Sequence, residues 1–145
     1  MNNFTYSKQG LALTESFEGV RLTAYPDVKG VLTIGYGHIT GVHAGMTCTQ
    51  AQAEAWLQQD IQWASDRVNA EVHISLTQPE FDSLVDFVFN CGCGNFDNST
   101  LLKLINKDDL TDAANEFDKW DEAGGKVVAG LLRRRQAEDA MFSGS

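Results

Sequence analysis

Between two stretches written in a helical period lies a segment that resists a helix. Residues 20–40 include Val31-Leu32-Thr33-Ile34-Gly35-Tyr36-Gly37, a β-branched run punctuated by glycine, with Pro26-Asp27 and Lys29-Gly30 just ahead of it. Branched side chains lose rotamer freedom in a helix and fit a pleated surface, while Pro-Asp and Lys-Gly mark turns. The segment predicts a short antiparallel sheet. Because helical patterns surround it, the fold class is α+β, mostly helical, with a small β lobe near the N-terminus and a helical C-terminal lobe.

The helices carry their own signals. Ser7 suits an N-cap, Leu11, Ala12 and Phe17 suit a buried stripe, and Gly19 suits a helix stop. Thr49 with Gln52 writes a capping box ahead of Ala53, Trp56, Leu57, Ile61, Ala64 and Val68 at three- and four-residue steps. That run predicts one connecting helix over about 49–70. Thr77 with Glu80 repeats the box ahead of Phe81, Leu84, Val85 and Val88, and further helices are expected over 99–106, 109–123 (stopped by Gly124-Gly125) and 131–142. No repeat, low-complexity tract or linker interrupts the chain. The reading is one domain over 1–145, with a β lobe at about 19–48 and a helical lobe at about 71–145. With 145 residues, such a chain buries about two-thirds of its unfolded surface and needs no metal or disulfide staple.

Charge narrows the partners. The chain has 20 acidic against 11 basic residues, a formal net charge of −9, which argues against nucleic acid, since phosphate affinity comes from clustered Lys and Arg. The one basic cluster, Arg133-Arg134-Arg135, invites a salt-bridge or local anion reading. The N-terminus lacks the pattern of a secretory signal, and no run approaches the roughly 18 apolar residues of a membrane span, so synthesis in a cytoplasm is expected. Cys48, Cys91 and Cys93 are odd in number, form no Cys-x-x-Cys pair and have no histidine spacing beside them. They are read as buried or idle thiols, with no metal and no cofactor.

Glu18 closes the first helix, Asp27 follows in a turn, and Thr33 lies on the expected sheet. A helix end followed by a hairpin can bring these groups to face one another. Glycosidases need such equipment: one carboxyl that keeps its proton and one that stays ionised. The negative end of the helix dipole and partial burial would raise the pKa of Glu18, while Asp27 in its turn would be wetter. Among 20 acidic residues, spacing alone does not single out this pair.

The wording around them does. Phe17-Glu18-Gly19-Val20-Arg21-Leu22-Thr23-Ala24-Tyr25-Pro26-Asp27, followed by Leu32-Thr33-Ile34-Gly35-Tyr36-Gly37-His38, resembles the phage-type lysozyme (endolysin) family. The resemblance continues through Phe89-Asn90-Cys91-Gly92-Cys93-Gly94-Asn95-Phe96 with Ser99-Thr100-Leu101-Leu102, and through Trp120 to Lys126, Gly130-Leu131, Arg134, Arg135 and Glu138. It covers essentially the whole chain in order.

The resemblance implies hydrolysis of the β-1,4 bond between N-acetylmuramic acid and N-acetylglucosamine in bacterial peptidoglycan, for host cell lysis. Glu18 would be the acid, and Asp27 with Thr33 would position water for inversion. Relatives lacking the aspartate cleave by transglycosylation, so Asp27 favours hydrolysis. Ile39, Phe89, Asn90, Ser99 and Lys126 fall where the family lines its saccharide groove; Phe89 equally suits core, Ser99 a helix cap, and Lys126 a solvated surface. Arg135, or Arg134 in its place, would reach back toward Glu18. His38 invites a general-base role, but pairing with a helix acid, Asp60, is the preferred reading. Trp56, Trp63 and Trp120 sit in helical periods as core. A monomer is expected, made in the host cytoplasm and reaching the periplasmic wall through a holin-like pore. The competing readings are a non-catalytic wall-binding accessory and a chitin-directed glycosidase.

Overall fold

The computed structural model describes residues 2–144. The chain divides into two units: Thr14–Gln62 forms one, and the segments before and after it form the other.

The first unit carries the sheet. It opens on the end of α1 (Lys8–Glu18). This helix buries Thr14 and leaves Ala12 exposed, so the buried stripe is not the one expected from Leu11, Ala12 and Phe17. Strands β1 (Arg21–Pro26) and β2 (Leu32–Gly35) pair antiparallel, with Tyr25 opposite Thr33 and Pro26 opposite Leu32. Residues 46–48 extend the sheet on the other side of β1: Ala24 N–H donates to Met46 C=O at 2.8 Å and Cys48 N–H to Leu22 C=O at 2.9 Å. Helix α2 (Gln50–Asp60) starts at Thr49 through the expected capping box, with both reciprocal bonds formed. Ile34, Ala53, Leu57 and Ile61 make its small core.

The single helix expected over 49–70 is two. At Ile61 the N–H still donates to the Leu57 carbonyl at 2.9 Å, the chain turns there, and α3 (Gln62–Glu71) begins anew. In the second unit, α4 (Gln78–Cys91) starts at Thr77 with the second capping box. Then come α5 (Cys93–Asp97), which the sequence reading missed, α6 (Thr100–Asn106) and α7 (Leu110–Ala114). The helix expected over 109–123 starts at its Asp109 cap but ends at Ala114. After α7 the chain makes a short 3₁₀ turn at Phe117–Lys119 and then a hairpin of β3 (Glu122–Ala123) and β4 (Lys126–Val127). Gly124 and Gly125 have φ of +60° and +79°. Two consecutive positive φ values form the tight turn that joins antiparallel strands, so this pair turns a hairpin instead of stopping a helix. The chain ends in α8 (Ala129–Ser143).

Helices α4 and α8 pack together, and Phe87 centres the aromatic core. It meets Phe96, Phe117 and Trp120 edge-on at centroid distances of 6.3, 5.9 and 5.5 Å. Buried charge joins the two helices. Asp86 accepts two bonds from Arg134, at 2.9 and 2.8 Å, in the fork geometry that suits guanidinium and carboxylate. Arg135 and Glu138, both fully buried, lie one turn apart with Nε and Oε1 at 2.7 Å. That contact lacks hydrogen-bond alignment; the aligned bond runs from Arg135 Nη2 to Glu138 Oε2 at 3.0 Å. Burial and neighbouring Asp86 push the Glu138 carboxyl well above its ordinary value, and Arg135 and Arg134 pull the other way. Of the two readings of the arginine cluster, Arg134 and Arg135 take the salt-bridge one.

Candidate active site

The site is built on the sheet-bearing unit. Glu18 is the last residue of α1, and its neighbour Gly19 turns the chain into β1. Glu18 is exposed, not partly buried as expected. Its Oε1 stands beside the next loop: a Cβ built on Gly37 would lie 3.9 Å from it.

Asp27 is fixed by the turn it makes. Its Oδ1 accepts from the Lys29 and Val31 amides at 2.8 and 2.9 Å, and its own N–H donates to the Val31 carbonyl at 2.9 Å. An Asp side chain capping the backbone two residues on is the local reason Asp suits such turns. Only Oδ1 is engaged in this way, which leaves Oδ2 to other partners. Thr33 is buried on β2, and its hydroxyl donates to the Val31 carbonyl at 2.9 Å. With its one hydrogen spent, the hydroxyl can only accept from any further partner. Asp27 and Thr33 thus converge on Val31, one through its N–H and the other through its C=O.

The loop after β2 is tight. Ile34 and His38 exchange both backbone bonds at 2.9 Å, so Gly35, Tyr36 and Gly37 alone make the tip. His38 follows with Nδ1 2.8 Å from Asp60 Oδ2 and its ring stacked on Trp56, centroids 4.6 Å apart and 5° from parallel. Trp56 is half-buried through that stack, and Ile39, next in line, is 56% exposed.

The remaining sequence-derived positions lie in the other unit. Phe89 is half-buried with its ring 5.9 Å from that of Trp63, which is 44% exposed and so is not the core residue expected. Asn90 is exposed and accepts from Arg135 Nη2 at 2.8 Å, so the Arg135 guanidinium is shared by Asn90, Glu138 and the Cys91 sulfur. Ser99 is buried with its hydroxyl occupied as the α6 cap, donating to Phe96 C=O at 2.7 Å and accepting from Leu102 N–H at 3.0 Å. Lys126 is exposed on β4. Cys48, Cys91 and Cys93 are free thiols, and burial pushes the Cys91 thiol up, away from the reactive thiolate. Among the described residues no cluster of three or more His, Cys, Asp or Glu side chains is spaced to hold a metal, and no helix is long and apolar enough to cross a membrane.

A helix-terminal carboxyl beside a small sheet that carries a turn carboxylate and a buried hydroxyl is the kind of equipment a glycosidase uses. The phage lysozyme family model matches residues 15–138. An endolysin of Acyrthosiphon pisum secondary endosymbiont phage 1 is 43% identical over 140 residues, covering 94% of this chain and 96% of that protein. Among solved structures, a mutant of P22 lysozyme superimposes with a TM-score of 0.91 at 35% identity, covering 97% of this chain and 99% of that one. The muramidase domain of SpmX from Asticaccaulis excentricus reaches a TM-score of 0.90 at 38% identity, covering 97% and 98%. The chain belongs to the phage lysozyme family, and it is a glycoside hydrolase with a lysozyme-like α+β fold.

Sequence reasoning missed the group around Tyr36. The Tyr36 hydroxyl accepts from Gln50 Nε2 at 2.8 Å and lies close enough to the Glu15 carboxyl to pull its pKa down. The signal available was Gly-Tyr-Gly, a lone large side chain between two glycines at a loop tip.

Proposed function

We propose that this enzyme hydrolyses the β-1,4 bond between N-acetylmuramic acid and N-acetylglucosamine in bacterial peptidoglycan, with inversion at the anomeric carbon. Glu18 protonates the leaving glycosidic oxygen. Asp27 and Thr33 hold the attacking water on the opposite face of the sugar. The observation that carries this reading is the state of the two acceptors. The Thr33 hydrogen is committed to Val31, and Asp27 is anchored through Oδ1 alone. Two acceptors take the two hydrogens of one water and leave its lone pair for carbon. As the bond breaks, the Asp27 carboxylate accepts the proton that water releases, so the step balances: one proton from Glu18 to the leaving sugar, one from water to Asp27.

Ile39, Phe89, Asn90 and Lys126 are proposed to meet the glycan. Ser99 acts through the turn it caps, because its hydroxyl is already engaged on both sides. His38 with Asp60, and Arg135 with Asn90, serve the site as structural electrostatics. The family resemblance supports a monomer that passes from the host cytoplasm to the wall through a holin-like pore.

The test is product analysis on purified sacculi. Reducing N-acetylmuramic acid ends, released first as the α-anomer, are expected. Anhydro ends would show a transglycosylase, the β-anomer would show retention, and absence of products would show a binder. Preferential cleavage of chitin oligomers would transfer the assignment to that polymer.

A further inference from the structure

The tip of the loop after β2 holds three residues, and two of them are glycines. Gly37 has φ +87°, a region that L side chains avoid, and its open side faces Glu18 Oε1, with nothing else within 4 Å of a Cβ placed there. The backbone of this loop is therefore the surface beside the Glu18 carboxyl. What holds that backbone still is the loop's one side chain. Tyr36 is 8% exposed despite sitting at a loop tip. Gln50 Nε2 donates to its hydroxyl at 2.8 Å and reaches Glu54 Oε1 at 3.4 Å. The hydroxyl hydrogen is then free for Glu15, which lies three residues before Glu18 and so on nearly the same face of α1. On the flank, a Cβ at Gly35 would come within 3.2 Å of Ala53 Cβ, so the loop is also pressed directly onto α2.

We propose that Tyr36 is a positioning residue for the reaction: its hydroxyl ties the Gly35–Gly37 loop to Glu15 of α1 and Gln50 of α2, and so sets the placement of the Glu18 carboxyl. The proposal rests on the assignment of Glu18 as the acid. Any buried tyrosine hydroxyl needs partners; what singles this one out is that its partner Gln50 lies on α2, while the loop it holds runs beside Glu18 Oε1 at Gly37. Burial and Glu54 push the Glu15 carboxyl up while the Tyr36 bond lowers it, as expected of a hydroxyl donating to a carboxylate.

The test uses steady-state kinetics on soluble, uncross-linked glycan strands. Tyr36→Phe keeps the ring and removes the clamp; kcat is expected to fall about tenfold with KM within about twofold, because misplacement of a reacting group by a fraction of an ångström acts on the chemical step. Glu15→Gln keeps an acceptor for the hydroxyl and is expected to retain most of the activity, whereas Glu15→Leu should fall with Tyr36→Phe. A kcat within about twofold of wild type in folded Tyr36→Phe overturns the proposal, as does a loss carried by KM. Should Tyr36→Phe fail to fold, the Glu15 pair decides: equal kcat in Gln and Leu variants overturns it. Glu18→Gln is measured alongside. Activity surviving there withdraws the acid and the clamp together; an inert Glu18→Gln beside a fully active Tyr36→Phe removes only the clamp.

Discussion

The two units use charge in opposite ways. In Thr14–Gln62 the carboxyls of Glu18 and Asp27 remain accessible to water, and Asp27 is tied to backbone amides. In the helical unit Asp86 and Glu138 are fully buried and tied to guanidinium groups. An accessible carboxyl can meet a substrate but adds little to stability, since exposed pairs are worth about 0–1 kcal/mol. A buried carboxylate is costly to desolvate and is retained only when paired, so removing one partner leaves a charge stranded. The comparison therefore separates residues whose loss should cost rate from residues whose loss should cost fold.

The largest effect should fall on rate alone. Glu18→Gln is expected to lower lytic activity by at least about 10²–10⁴-fold, the usual worth of general acid catalysis, with an unchanged urea midpoint. Activity within tenfold of wild type on folded protein would break the assignment. Next comes a stability effect from the other unit. Asp86→Ala removes the fork partner of the buried Arg134 guanidinium and should cost about 3–5 kcal/mol by denaturant titration, while activity per folded molecule stays near wild type. A cost below about 1 kcal/mol would show that the buried pair is less confined than its geometry indicates.

A pH experiment sharpens the contrast further. The Glu138 carboxyl titrates above its ordinary value of 4.5 in the folded chain, so the native state keeps a proton that the unfolded chain has already lost. Its contribution to stability must therefore decline as pH climbs from the ordinary carboxylate range toward the native value. Glu138→Gln, which never ionises, is expected to shrink the loss of urea midpoint between about pH 5 and about pH 8. An unchanged slope would mean that Glu138 is not the group responsible. The smallest effects are the caps. Thr49→Ala and Thr77→Ala break matching capping boxes in the two units, and each should cost about 1 kcal/mol. The sharper measurement is activity at full folding: only the Thr49 variant, which frays α2 next to Gln50, should lose kcat.

These caps also mark what the sequence could convey. Thr49-Gln52 and Thr77-Glu80 are local signals, satisfied within one turn, and both helices start where they say. The β1–β2 hairpin was equally legible, because Asp27 and the β-branched run act on their own neighbours. The break at Ile61 was not, since no Gly or Pro announces it and an αR conformation of φ −86° is open to any residue. Gly124-Gly125 was read as a stop because a glycine pair ends helices as readily as it turns hairpins; the choice is made by strand pairing of Glu122 with Val127. The three candidate catalytic residues were picked out by a pattern of words, whereas the common dependence of Asp27 and Thr33 on Val31 is a matter of backbone geometry. Pairings such as Asp86 with Arg134, 48 residues apart, depend on how α4 and α8 pack and leave no mark in either segment.

The double duty of Asp27 bears on how such an enzyme can change over generations. One oxygen of its side chain closes the turn through the Lys29 and Val31 amides. Replacement by alanine would loosen the turn as well as remove the chemistry. Asparagine offers the same amide-accepting oxygen without the charge, and so preserves the hairpin while altering how water is handled. Drift toward a different way of finishing the sugar reaction is therefore easier through asparagine than through alanine at this position.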